Sequence, residues 1–482
     1  MKKLLIIVLA LALLLLAGMG LQSCKRSRAR QALAAYRAEL RAQGEWLTLA
    51  DVGIPLTQET NANLESFVAL ADQLRSVSSL PSQLVYQPID DAGRRRLIWR
   101  EPVAPGTSSN APGLPWSQLS ADCTAAAALL EALRVELEHP PRRFGWNFTN
   151  ILAATGPKNP FVQKRIVAQF LTADMLVALH EGKLPRAQAN LHALTQMVQL
   201  HRDDVTLVSA MIRVAIAGLS LTATGQALPA GGWDEAGLRT LQSDWEAIDL
   251  EQALETGLAG DRLFGLTAFE QVRNAPSKDQ WRALTMTSPP GPGLDGWKER
   301  VEGTFVSAYW RSHMEEDELF YLRHLQGRLD LIRQLRTNAP GAQLKAAIDV
   351  QVKELDEITS DPLGKYRHLF SAIAIPNYSR CFQTTLRIET ERRMTVIAIA
   401  RQRFYLAHGH HPTTLAELQP RWLAKVPLDP WSGRPFIYRQ QPDGSYILYS
   451  VGENGRDDGG DSPSADLWAG EDAIWPEPPS AR

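Results

Sequence analysis

Residues Arg401 to Asp461 read RQRFYLAHGHHPTTLAELQPRWLAKVPLDPWSGRPFIYRQQPDGSYILYSVGENGRDDGGD, and here residue type, spacing and turn chemistry agree. The segment begins as the end of a helix. Phe404 and Tyr405 lie on its last turns, and Gly409 and Pro412 stop it through a left-handed cap and a missing amide donor. Thr413 or Thr414 then caps a short helix, with Glu417 about one turn on and Leu415, Leu418 and Leu423 on its apolar side. Two prolines and a glycine in Val426-Pro427-Leu428-Asp429-Pro430-Trp431-Ser432-Gly433 force a tight corner. Phe436 and Tyr438 alternate with polar neighbours, Pro442-Asp443-Gly444 turns the chain, and Tyr446, Leu448 and Ser450 alternate with Ile447, Tyr449 and Val451. This alternation predicts a β-hairpin. The exit, GENGRDDGGD, sets glycines between oxygen-bearing side chains, a composition that cannot build core but can wrap a hard cation.

In order, these features are a helix end, G-x-H-P, L-x-x-L, V-P-x-D-P-W-x-G-x-P, a Tyr-containing hairpin and Y-S-x-G-x-N-G-x-D-D-G-G. Together they resemble the C-terminal domain of the type II secretion major pseudopilin, over roughly the last hundred residues. His411 stands where that family usually has Tyr, Asn454 where an Asp ligand is expected, and hundreds of residues separate the N-terminus from the module. The resemblance implies a small α+β domain with a calcium loop. On the residues themselves, the Val451 carbonyl, the side chain of Asn454, and Asp457, Asp458 and Asp461 are the candidate Ca2+ ligands, with Gly452, Gly455, Gly459 and Gly460 free to take the dihedrals such wrapping needs. A solvated acidic tail is the plainer alternative, because Asp466, Glu471, Asp472 and Glu477 continue the charge.

The chain has 482 residues, 44% of them hydrophobic, enough for two or three units with a sizeable core. A net charge of -2 and the lack of a basic stripe interleaved with aromatics argue against nucleic acid as a partner. Met1-Lys2-Lys3 is followed by an apolar run from Leu4 to Leu21, long enough for a membrane span or a signal-peptide core. Cys24, with Ser23 before it and Leu21 three back, looks like a lipobox cysteine that would be lipidated. An uncleaved transmembrane anchor is the alternative. Lys25, Arg26, Arg28 and Arg30 follow directly and oppose export, yet an extracytoplasmic, periplasmic-side body is the expectation. A disulfide between Cys123 and Cys381 is allowed by count alone, and two unmatched buried thiols are the expectation; no Cys/His pair has zinc spacing.

Between the ends the pattern is helical. Residues 26–45 predict a polar stalk helix with Ala32, Leu33, Tyr36 and Leu40 at helical spacing, and 61–74 a second helix. Residues 76–117 are loop-rich. Phe161 to Glu181, the helix opened by Pro185, and the one carrying Val205, Val208, Ile212, Ala215 and Leu219 predict antiparallel neighbours. The hairpin around HEGKLPRAQANLHAL is similar to a tetratricopeptide-type helix pair, without a second copy at a fixed period. Three more helices follow, over Trp297–Leu335, Gly341–Ile358 and Asn377–Leu406. The expected organisation is an anchor (1–24), a stalk and loop-rich segment (25–118), a helical domain (119–275), a Pro/Gly-rich break (276–296), a helical segment (297–376) and the pseudopilin-like domain (377–482). The fold class is therefore mainly α: a membrane-anchored antiparallel helical body followed by a small α+β domain with a β-hairpin.

Candidate chemistry is sparse. His408, His410 and His411 read as a surface turn, because no carboxylate or cysteine completes a metal set. The run His313-Met314-Glu315-Glu316-Asp317-Glu318 reads as a solvated helix face, since consecutive positions point in different directions. No nucleophile elbow, phosphate loop or dinucleotide fingerprint occurs. The expectation is a non-enzymatic, membrane-attached structural or interaction protein with protein partners and no evident small-molecule substrate, related to pseudopilus assemblies and carrying a calcium-stabilised module. The alternative is an extracytoplasmic hydrolase with a site assembled from distant residues of the helical body. The whole chain also resembles uncharacterised membrane-anchored bacterial proteins, which adds no activity.

Overall fold

A computed structural model describes residues 23–53, 62–77, 84–88, 95–99, 116–143, 160–274, 293–441, 446–460 and 472–475. The apolar run of the expected anchor, the Pro/Gly-rich stretch over 275–292, most of the loop-rich segment and the candidate ligand Asp461 lie outside them. The chain is mainly helical, with a small C-terminal three-stranded antiparallel sheet. Helix α1 covers 23–42, followed by α2 (Ala62–Val77), the antiparallel pair β1 (Leu84–Pro88) and β2 (Arg95–Trp99), α3 (Trp116–Ala125) and α4 (Ala127–Leu137). Next come α5 (Phe161–His180), α6 (Leu184–Gln199), α7 (Leu207–Ala227), α8 (Glu235–Glu246) and α9 (Leu250–Asn274). Then follow α10 (Gly293–Arg336), α11 (Gly341–Ser360), the short α12 (Pro362–Arg367) and α13 (Leu369–Ala374), and α14 (Pro376–His408).

The punctuation acts as its chemistry requires. Gly182 takes φ +70° beyond α5, and Pro185 sits in the first turn of α6, where its missing N–H has no intrahelical partner to lose. Thr206 caps α7 by accepting from Ser209 N at 3.2 Å, and Asp234 caps α8 by accepting from Gly237 N at 2.7 Å. Gly409, at φ +76°, closes α14, donating its N–H to the Tyr405 carbonyl at 2.8 Å.

Two large cores hold these helices. One gathers α2 to α8 with the second half of α14 and the C-terminal hairpin, so that Leu64, Phe170, Leu194, Trp245, Ile397, Leu448 and Trp475 belong to a single cluster. The other unites α9 and α10 to α13 with the start of α14, and takes in Trp431, Val451 and Ala473. Phe269 and Trp310, on either side of the expected break, stack at 6.0 Å between centroids. The C-terminal module therefore has no core of its own. Close helix approach is built on glycine: a Cβ on Gly257 would meet the Leu207 Cα at 2.9 Å, and one on Gly260 would overlap the Val205 carbonyl.

Two expectations are overturned here. The segment read as a stalk is packed on the body, with Leu33 and Leu40 sharing a cluster with Leu266, Leu319 and Leu322. The acidic run is not a solvated face: Glu315, Asp317 and Glu318 are buried. Arg26 and Arg30 of α1 hold Glu315, and Arg37 and Arg273 hold Glu318. Charged partners from distant elements let carboxylates occupy an interior face that they could not occupy alone. Helix α7 is the one described helix long and apolar enough to cross a membrane, and it is mostly buried among other helices.

Candidate cation loop at the hairpin exit

The hairpin pairs β3 (Ile437–Gln440) with β4 (Tyr446–Ser450), Ile437 opposite Tyr449 and Gln440 opposite Tyr446. A third strand, β5 (Ala473–Ile474), adds to β4 beyond the expected two. Ahead of the hairpin, Thr414 and Glu417 form a capping box over Leu415–Leu418, which is a 3-10 turn.

Asp429 of the Asp-Pro-Trp corner organises the region. Its carboxylate is 1% exposed and accepts from Trp431 N (3.0 Å), Ser432 Oγ (3.1 Å), Ser450 Oγ (2.8 Å) and Val451 N (3.2 Å). Burial pushes its pKa up, and those four bonds only partly counter it. One buried carboxylate thus ties the corner to the point where β4 leaves for the loop. The corner also begins α11, because the Pro430 and Trp431 carbonyls accept from Gly341 N (2.9 Å) and Ala342 N (3.1 Å).

Of the candidate ligands, Val451 donates its N–H to Asp429, and Asn454 donates Nδ2 to Asp458 Oδ2 at 2.7 Å while its Oδ1 accepts from Arg456 N at 2.8 Å. Asp457 accepts from the Tyr449 hydroxyl (2.8 Å) and Gly459 N (3.0 Å), and the Tyr449 bond holds its carboxyl below the usual range. The loop carries the expected glycine conformations, with φ of +61° at Gly452, +68° at Gly455, +97° at Gly459 and +77° at Gly460. The structure adds Asp472, which the sequence reading had placed in the acidic tail. Its Oδ2 accepts from Asp458 N (3.0 Å) and Gly460 N (2.8 Å), and its Oδ1 is buried with no hydrogen-bond partner among the described residues. Burial raises its pKa, and the nearby Asp458 and Asp457 charges add to that rise. The signal that could have found it is an acid standing directly before the apolar Ala473-Ile474-Trp475.

Among the described residues no three His, Cys, Asp or Glu side chains converge as a metal set. Among the described residues the Asp472 Oδ1 is left over, whereas Asn454 and Asp458 satisfy each other. His408 and His411 stack on Phe404 and Tyr405, with centroids 4.2 and 4.5 Å apart. Cys24 is exposed on α1, and burial pushes the Cys123 and Cys381 thiols up to about 12 and about 11.

Elsewhere, displaced titrations belong to packed interiors. Lys164, 1% exposed and pushed down to about 7 by burial, lies 2.6 Å from His201 Nδ1. Asp261 is pushed up to about 7 by burial, although it accepts from Leu207 N at 3.1 Å. Glu45 is the opposite case: burial disfavours its charge, but bonds from Arg333, Arg262 and Gln326 prevail and hold it down at about 2. No family model matches the chain, and comparison with curated proteins and with solved structures likewise finds no match.

Proposed function

We propose that the chain is a non-enzymatic, membrane-attached structural or interaction protein on the extracytoplasmic side, related to pseudopilus assemblies, whose C-terminal loop is locked by calcium. The observation that carries the calcium reading is Asp472, a buried carboxylate with one oxygen on two loop amides and the other unmatched among the described residues. A hard cation would supply the missing partner, with Asp457, Asp458 and loop carbonyls as further oxygens. The attachment reading rests on the apolar run from Leu4 to Leu21, and the interaction reading on a helical body into whose core the module is built.

Because the module shares that core, the test uses the full chain. Thermal unfolding in a neutral detergent is followed with calcium, with magnesium and with chelator. Calcium should raise the midpoint at millimolar concentration, since a ligand bound only by the folded form stabilises it. Asp472→Asn and Asp458→Ala should each reduce the rise. No rise at millimolar calcium, or an equal rise in both variants, removes the site.

A further inference from the structure

Where α1 crosses α9 and α10 the structure holds a groove of about 310 Å³. Arg30, Arg37 and Arg41 line it from one face of α1, and Arg273 lines it at the end of α9. The single acid on its wall among the described residues is Glu315, which already accepts from Arg26 Nε at 3.2 Å and Arg30 Nη2 at 3.3 Å. Glu318 has no exposed side-chain surface and is held from behind by Arg37 and Arg273. Asp51, the acid that feels Arg41, is occupied by Leu47 N and Thr48 N, both at 2.8 Å. Five guanidiniums, counting Arg26, thus face three carboxylates, Glu315, Glu318 and Asp51, all already hydrogen-bonded. Arg30 is 69% exposed in its side chain, so the surplus charge reaches solvent.

Packing alone does not require this surplus. Arg37 and Arg273 explain the burial of Glu318, and Arg26 suffices for Glu315, which leaves Arg30 and Arg41 over. Guanidinium forks from two sides of one groove match a tetrahedral oxyanion better than a planar carboxylate, because several can each take an oxygen edge. The rest of the wall is Leu33 and Ala34, an apolar strip between the arginines. The volume is at the lower end for small-ligand sites, too small for a folded macromolecule. We propose that this groove binds a phosphate-bearing ligand, its oxyanion held between Arg30, Arg41, Arg37 and Arg273 and its neighbouring carbon portion laid on Leu33 and Ala34. A phospholipid headgroup and a free polyphosphate share that chemistry.

The test is calorimetric titration of the full chain in a neutral detergent with two probes, inorganic pyrophosphate and a short-chain phosphatidylglycerol, with short-chain phosphatidylcholine as the lipid control. Arg30→Gln with Arg41→Gln keeps both buried glutamates paired, and Arg28→Gln is the control outside the groove. Saturable binding of either anionic probe, weakened at least about tenfold in the double variant and by added salt but unchanged in the control, is the expected result. Binding of phosphatidylglycerol alone assigns a lipid headgroup, and binding of pyrophosphate alone or of both assigns the phosphate group itself. Binding of neither probe, or equal loss in the Arg28→Gln control, overturns the site. Failure of membrane attachment would leave the pyrophosphate arm intact, so the two readings fail separately.

Discussion

Asp317→Asn tests how a carboxylate is tolerated inside the helical body. Asp317 Oδ2 accepts from Trp310 Nε1 (2.6 Å) and Phe370 N (2.9 Å), and Oδ1 from Ser371 Oγ (2.5 Å) and Ser371 N (3.2 Å). Burial nevertheless pushes its pKa up to about 6, because desolvation outweighs the four bonds. Against an unfolded value of ~3.9, a rise of roughly 2 units corresponds to about 3 kcal/mol. A raised carboxyl pKa means that the folded chain keeps its proton while the unfolded chain has lost it. The contribution is therefore fully present below about pH 4 and is lost as pH rises to about 6. Asp317→Asn has no such titration. At neutral pH it orphans two buried donors at about 1–3 kcal/mol each, offset by removal of the ionisation penalty. The gap between the two proteins should therefore widen by about 3 kcal/mol from pH 7.5 to pH 4, while groups common to both cancel. With unfolding entropy of about 2.1 cal/mol/K per residue, that is roughly 3 °C in midpoint for a chain of this length. Differential scanning fluorimetry across that range provides the readout. A gap that stays constant or narrows in acid would refute burial as the cause.

Three further outcomes follow from the geometry. Asp429→Ala should cost about 3–5 kcal/mol, because it strands two backbone amides and two serine hydroxyls, and proteolysis should then open the hairpin before the helical body. Gly260→Ala should lose at least about 3 kcal/mol through overlap with the Val205 carbonyl, whereas Gly303→Ala, with nothing within 4 Å of the added methyl, should be neutral or slightly stabilising; chemical unfolding of both separates packing from helix propensity. Glu45→Gln should cost about 3 kcal/mol at pH 7 and progressively less as the pH falls through ~4 towards 2, since a depressed carboxyl pKa gives stability that is present above the unfolded value and lost as pH falls through the folded one; a pH series of unfolding midpoints checks the sign.

Most of the fold was legible because its signals are local. The helix from Phe161 and the stops at Gly182 and Gly409 lie where period and turn chemistry placed them, and the helix expected over Asn377–Leu406 runs Pro376–His408. The acidic run was misread for a reason visible in hindsight. Glu315, Glu318, Leu322, Leu325 and Leu329 step by three and four along one stripe, so the carboxylates continue the apolar face. What licenses their burial is arginines on α1, more than 280 residues away for Arg26, Arg30 and Arg37. No periodicity argument sees that pairing. Asp472 escaped for a similar reason: β5 is two residues long, too short to show alternation, and its carboxylate acquires meaning only when the strand adds to β4.

The cluster joining Leu64 to Trp475 also sets a schedule for synthesis. Trp475 donates its N–H to the Leu448 carbonyl at 2.8 Å, and α14 supplies side chains to both large cores. A ribosome making about 5–20 residues per second needs roughly half a minute or more to reach that tryptophan. Through most of that time the faces of α7 and α8 that α14 covers stay open. A nascent chain that cannot close its core stays pliable, and a chain cut short before residue 475 should be left to chaperones and proteases.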